Sequence, residues 1–132
     1  MNKHILANRP LVLVADDSRD TADIYAFLLQ STGYRVAVAY DGLTAAALAK
    51  TTRPDLVLIN FLMPGMTGLE VTKELRAEGF AGRIVITSGT DEFAMLCERA
   101  KAAGADACAR QPWETSEMLA TVKAAVTSTP AR

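Results

Sequence analysis

Five short apolar runs, Leu11–Ala15, Val36–Ala39, Leu56–Ile59, Ile84–Thr87 and Ala105–Ala109, alternate along the chain with segments of helical period. Three of the runs are almost continuously hydrophobic, which is how parallel strands read when both faces of their sheet are covered. The intervening segments carry apolar faces suited to cover such a sheet: Ile24, Tyr25, Leu28 and Leu29; Leu43 and Ala47; Leu69, Thr72 and Leu75; Phe93, Leu96, Cys97 and Ala100; Met118, Val122 and Val126. Gly33, Gly79 and Gly104 follow three of these segments, where a left-handed residue turns the chain from helix into strand. Ser18, Asp41 and Thr115 are expected N-caps, since a short oxygen-bearing side chain accepts from the free amides of a first helical turn.

Five strand–helix repeats with right-handed crossovers make an α/β, doubly wound (βα)5 fold of flavodoxin-like type, a five-stranded parallel sheet in the order 2-1-3-4-5. In such a sheet the ligand crevice opens beyond the carboxyl ends of the first and third strands, where the winding reverses. That rule puts the site at Asp16, Asp17 and Asn60. Two adjacent carboxylates there are hard oxygen ligands suited to Mg²⁺, which takes one or two carboxylates from a protein and keeps several waters. The competing reading is structural: Asp17 caps the first helix and Asp16 is solvated.

A chain of 132 residues suits one domain, expected over 10–127, with 1–9 as an N-terminal tail and 128–132 as a C-terminal tail or linker stub. Half the residues are apolar and fewer than a quarter charged, so the composition is globular. A net charge of -1 without a basic cluster supplies no field to steer the protein to nucleic acid or an anionic membrane, so direct DNA binding is not expected. No apolar run reaches signal-peptide or membrane-span length, which leads to an expected cytoplasmic location. Cys97 and Cys108 lie in apolar segments without CxxC or Cys/His spacing and are expected to be buried, reduced thiols.

From Pro54 the chain reads PDLVLINFLMPGMTGLE, which resembles the phosphorylation-site stretch of response-regulator receiver domains in two-component (phosphorelay) signal transduction. In that family the third strand ends in Asp, followed after two residues by Met-Pro and then by a Gly that opens the third helix. Met63, Pro64 and Gly68 match, but the phosphoacceptor position holds Asn60. The resemblance runs from about Leu11 to Val126. Asp16 and Asp17 match the paired metal-site acids. Thr87, with Ser88 after it, matches the hydroxyl residue that contacts the phosphoryl group, and Gly104, Ala105 and Asp106 match the Gly-Ala-Asp before the fifth strand. Pro112 matches a proline whose preceding bond is usually cis in the family. Two further departures accompany Asn60: Gln111 stands at the phosphate-binding lysine, and Cys108 at the aromatic switch position. Trp113, a lesser difference, reads as an aromatic packing residue in a loop.

The resemblance implies an ordinary site that takes a phosphoryl group from phosphohistidine onto a carboxylate, with Mg²⁺ and Lys stabilising the transferring oxygens. Asn60 removes the nucleophile, because a neutral amide offers no anionic attack on phosphorus. A family site carries three carboxylates and one ammonium. Here two carboxylates stand with neutral Asn60 and Gln111, so the net charge stays at -2 and the two losses balance. Pair terms of about 4 kcal/mol at about 4 Å make such a matched loss easier than many single changes.

The expected function is therefore a pseudo-receiver, not an enzyme, that signals by protein–protein interaction. Its expected docking face is the fourth helix, fifth strand and fifth helix, and its partner a histidine kinase, an output domain or a second copy in a homodimer. Mg²⁺ binding is expected to be weak. Two alternatives stay open: Asp16, Asp17 or Thr87 accepts phosphate in place of Asn60, or Asn60 is an engineered block in an ordinary receiver. A flavodoxin-like cofactor binder shares the fold but lacks a phosphate-binding loop after the first strand.

Overall fold

A computed structural model describes residues 8–128. The strands are β1 (Leu11–Ala15), β2 (Arg35–Ala39), β3 (Leu56–Asn60), β4 (Arg83–Ser88) and β5 (Ala107–Arg110). They alternate with α1 (Arg19–Ser31), α2 (Gly42–Thr52), α3 (Gly68–Ala77), α4 (Phe93–Ala103) and α5 (Thr115–Thr127). All pairings are parallel and the strand order is 2-1-3-4-5, as the alternation of elements requires. The expected tails, 1–9 and 128–132, lie almost wholly outside the described residues.

Strand side chains alternate between faces with a period of two, and each central strand here is apolar on both. Leu13 and Ala15, Val57 and Ile59, Ile84 and Ile86 point to one side, where they pack with Ala45, Ala46 and Ala49, Leu69, Val71 and Leu75, and Ala100. Val12, Val14, Leu56, Leu58 and Val85 point to the other, against Ala22 and Leu29 of α1 and Met118 and Val122 of α5. The two clusters explain why the runs are continuous rather than alternating.

Two helix faces differ from those expected. In α1 the buried set is Ala22, Ala26 and Leu29, while Ile24 is 56% exposed. In α2 it is Ala45, Ala46 and Ala49, while Leu43 is 63% exposed and Ala47 faces solvent. The stretch LTAAALA is apolar or small at almost every position, so periodicity could not choose its face. Alanine against the sheet won because it lets the helix axis come closer.

Ser18 and Asp41 cap α1 and α2 through bonds from the Thr21 and Thr44 amides at 3.2 and 2.7 Å. Thr115 does not cap α5: it is the first helical residue, and Glu114 precedes it as N-cap, its amide donating to the Glu117 carboxylate at 3.3 Å. Thr67 caps α3 in a reciprocal box with Glu70.

The fifth strand begins two residues later than the apolar run that announced it. Asp106 is occupied instead at the amino end of the sheet, where its carboxylate takes the Ile84 amide at 2.8 Å and pairs with Arg76 at 3.0 Å and Arg83 at 3.2 Å. Arg83 also donates to the Ser128 carbonyl at 2.9 Å, tying the end of α5 to β4.

Cys97 and Cys108 correct the expectation of buried, reduced thiols. Both are half-buried, and they are joined as a disulfide with Cα atoms 5.7 Å apart. Their separation of 11 residues hid this. The return of the chain from α4 into the adjacent β5 brings the two side chains together, a proximity that only the packing of helix on strand creates.

Candidate functional site

The carboxyl ends of β1, β3, β4 and β5 and the loops that follow them bring Asp16, Asp17, Asn60, Thr87, Ser88 and Gln111 to one end of the sheet. Asp16 is 5% exposed. Its amide donates to Ala39 O at 3.1 Å and its carboxylate accepts from the Ser18 amide at 2.9 Å. Burial raises the Asp16 carboxyl above its ordinary value and the neighbouring Asp17 charge pushes the same way, while the Ser18 amide and the Gln111 side chain draw it down. Asp17 is exposed.

Asn60, half-buried at the last position of β3, donates from Nδ2 to Asp17 Oδ1 at 3.3 Å and to the Leu62 carbonyl at 3.1 Å. Thr87 lies opposite Asn60 in the β3–β4 register, and its side chain is buried. Its carbonyl accepts from the Phe61 amide at 2.8 Å, which carries the β3–α3 loop over the end of β4. Ser88 ends β4: its hydroxyl accepts from the Thr90 amide at 3.1 Å and its carbonyl from the Gln111 amide at 2.9 Å.

Gly68 fixes how closely α3 approaches this end of β3. A Cβ there would lie 2.6 Å from the Asn60 carbonyl, and the Gly68 amide donates to Phe61 O at 2.8 Å. Only glycine permits that contact. Met63 is buried in the core, and Pro64 O accepts from the Gly42 amide at 3.0 Å, so the loop is held against the start of α2.

Gln111 reaches away from β3 as well as toward Asp16. Its Nε2 donates to the Tyr25 hydroxyl at 2.9 Å, and the Trp113 indole N–H donates to the same oxygen at 2.8 Å. The Tyr25 and Trp113 rings meet edge to face with centroids 6.4 Å apart. The peptide between Gln111 and Pro112 is cis. Tyr25 and Trp113 both pack against the core, as expected of a helix face and a loop aromatic. They also form a polar clasp between α1 and the β5–α5 loop, and nothing in the local sequence signals a contact across 86 or 88 residues. Cys108 stands apart from the crevice, bound to α4 through Cys97.

The adjacent carboxylates of Asp16 and Asp17 are hard-oxygen donors, which fits the chemistry of Mg²⁺. The two aspartates would hold the ion, and its charge would offset their mutual repulsion. Among the described residues no group of three or more His, Cys, Asp or Glu side chains converges as a ligand set. No helix among them is long and apolar enough to cross a membrane.

A doubly wound sheet with paired acids at its switch point, a hydroxyl at the end of β4 and a cis-proline after β5 defines a class of small α/β signalling modules. The chain belongs to the response regulator receiver domain family, whose family model matches residues 12–123. It is 33% identical over 116 residues to the DNA-binding response regulators MtrA of Mycobacterium tuberculosis and Mycobacterium leprae. The match takes in 88% of this chain, which spans about half the length of those relatives. Among solved structures it is similar to the receiver domain of Francisella response regulator 1452, with a TM-score of 0.84, 27% identity and coverage of 89% of this chain and 97% of that one. It is similar too to the chemotaxis response regulator CheY4 of Vibrio cholerae, with a TM-score of 0.82, 29% identity and coverage of 88% and 98%. The chain is thus a receiver domain of two-component signalling.

Proposed function

We propose that this receiver signals without phosphorylation at residue 60 and acts by binding protein. The observation that carries the reading is Asn60 itself: a neutral amide ends β3 and donates to Asp17 and Leu62. Attack on a phosphohistidine needs an anionic oxygen at that point, and an amide supplies none. Gln111 supports the same reading, since its Nε2 bonds to Tyr25 and it brings no positive charge to stabilise transferring oxygens.

The partner is a histidine kinase, an output domain or a second copy of the chain, docking on the face of α4, β5 and α5. Direct nucleic-acid contact is no part of the proposal, and the location is cytoplasmic. Mg²⁺ binds weakly, because two carboxylates remain where three would make a tighter site. The natural state of residue 60 is Asn, since Gln111 and Cys108 depart from the family pattern along with it.

The test is intact-mass analysis after incubation with acetyl phosphate and Mg²⁺, comparing the protein with its Asn60→Asp variant. No adduct on the parent supports the proposal. An adduct on the parent overturns it, and peptide mapping then locates the phosphate among Asp16, Asp17 and Thr87.

A further inference from the structure

The disulfide joins two lightly anchored neighbours in the fold. Of the eleven residues of α4 only Leu96 and Ala100 are fully buried, and the Glu92 N-cap makes no side-chain bond to the first turn. The edge strand β5 has no fully buried residue. By contrast α3, a residue shorter, buries five. A covalent link between α4 and β5 therefore restricts an edge that few buried contacts hold.

The surroundings suit reversible chemistry. Both cysteines are half-buried rather than enclosed in the core. Phe93 lies one helical turn before Cys97, and Arg110 lies two residues after Cys108 on the same strand face. The Arg110 guanidinium sits 5.5 Å from the Phe93 ring centroid, so a cation repeats the α4–β5 contact one step along from the sulfurs. A nearby cation favours the thiolate, which is the reactive form. The Cα separation of 5.7 Å is within the range of about 4.4–6.8 Å found across disulfides. In a reducing compartment such a pair is more often a redox sensor than a permanent staple.

We propose that Cys97 and Cys108 form a reversible dithiol–disulfide site whose closure pins α4 to β5. The oxidant is a low-molecular-weight disulfide of the glutathione class. One cysteine thiolate attacks it, forming a mixed disulfide and releasing one small thiol. The second thiolate then attacks the protein sulfur, forming the Cys97–Cys108 bond and releasing the other. Two electrons and two protons pass from the protein to the small disulfide, and excess small thiol reverses both steps. The pinned edge belongs to the docking face proposed above, and any effect on docking rests on that reading. The chemistry and the pinning do not.

The test treats the whole protein with a series of reduced-to-oxidised glutathione ratios. Intact mass and thiol alkylation report the bond, and amide hydrogen exchange reports the Phe93–Ala103 segment. Support is a loss of two hydrogens reversed by reduced glutathione under native conditions, with exchange across α4 about tenfold to hundredfold slower when oxidised. The Cys97→Ser and Cys108→Ser variants should stop at a mixed disulfide. The proposal falls if the protein takes up glutathione without forming the internal bond, if the bond is reduced only after unfolding, or if α4 exchanges equally fast in both states. None of these outcomes bears on acetyl phosphate, so failure here is separable from failure of the phosphorylation-independent reading.

Discussion

Replacing Asn60 by Asp should destabilise the metal-free protein at neutral pH, although it restores the residue type that the receiver family uses. In the parent, Asn60 Nδ2 donates to Asp17 Oδ1 at 3.3 Å and to Leu62 O at 3.1 Å. A carboxylate at residue 60 turns both attractions into repulsions. Two unit charges at that separation repel by about 5 kcal/mol at an effective dielectric near 20 and by about 1 kcal/mol in bulk water. Asp17 is exposed, so solvent screens the pair and the lower figure governs. With the lost hydrogen bonds, the net cost is about 1–2 kcal/mol. The assay is urea denaturation of parent and variant with and without Mg²⁺, at neutral pH and near pH 4. The difference should shrink with Mg²⁺, which offsets the added charge, and shrink on acidification, which protonates carboxylates. Adding Gln111→Lys should recover stability by supplying a cation, and the double-mutant cycle should show favourable coupling. An Asn60→Asp variant as stable as the parent without metal at neutral pH would refute the reasoning, because the Asn60–Asp17 contact would then carry no weight.

Further outcomes follow from other contacts. Tyr25→Phe removes the oxygen that accepts from both Gln111 and Trp113, and should cost about 1–3 kcal/mol in urea while shifting the Trp113 indole N–H resonance. Asp16→Asn keeps the acceptor for the Ser18 amide and removes a buried charge. Because burial raises the Asp16 pKa above its ordinary value of 3.8, the native state holds that proton more tightly than the unfolded chain, and stability falls as pH rises from about 3.8 through the native value. The Asn variant should therefore be the more stable at pH 7, with the advantage vanishing in acid; an advantage that persists below pH 3 would contradict this. Asp106→Asn weakens the pairs with Arg76 and Arg83, both largely buried, and should cost about 3–5 kcal/mol, read as a lower urea midpoint at unchanged slope. Gly68→Ala drives a Cβ into the Asn60 carbonyl and should cost about 1–3 kcal/mol while perturbing the Asn60 side-chain amide resonances.

Much of the fold was legible in one dimension because its largest energetic term is local in pattern. Strands buried on both faces must be apolar throughout, and helices that cover them must end where glycine allows a turn, so the runs from Leu11 to Ala109 announced the sheet and its order. The switch-point rule then put Asp16, Asp17 and Asn60 at one crevice, since strand ends are countable from sequence. The helix faces were less legible: α2 is small or apolar nearly all round, and no periodicity distinguishes Ala45 from Ala47 when both are alanine. Contacts between distant residues were not legible at all. Tyr25 meets Gln111 and Trp113 only because α1 and the β5–α5 loop flank the same strand ends, and Cys97 meets Cys108 only because α4 folds back beside β5. Periodicity records which residues leave water, and the sequence by itself determined that much. Which of them touch depends on the distance and rotation between packed elements, and that only the tertiary structure decided.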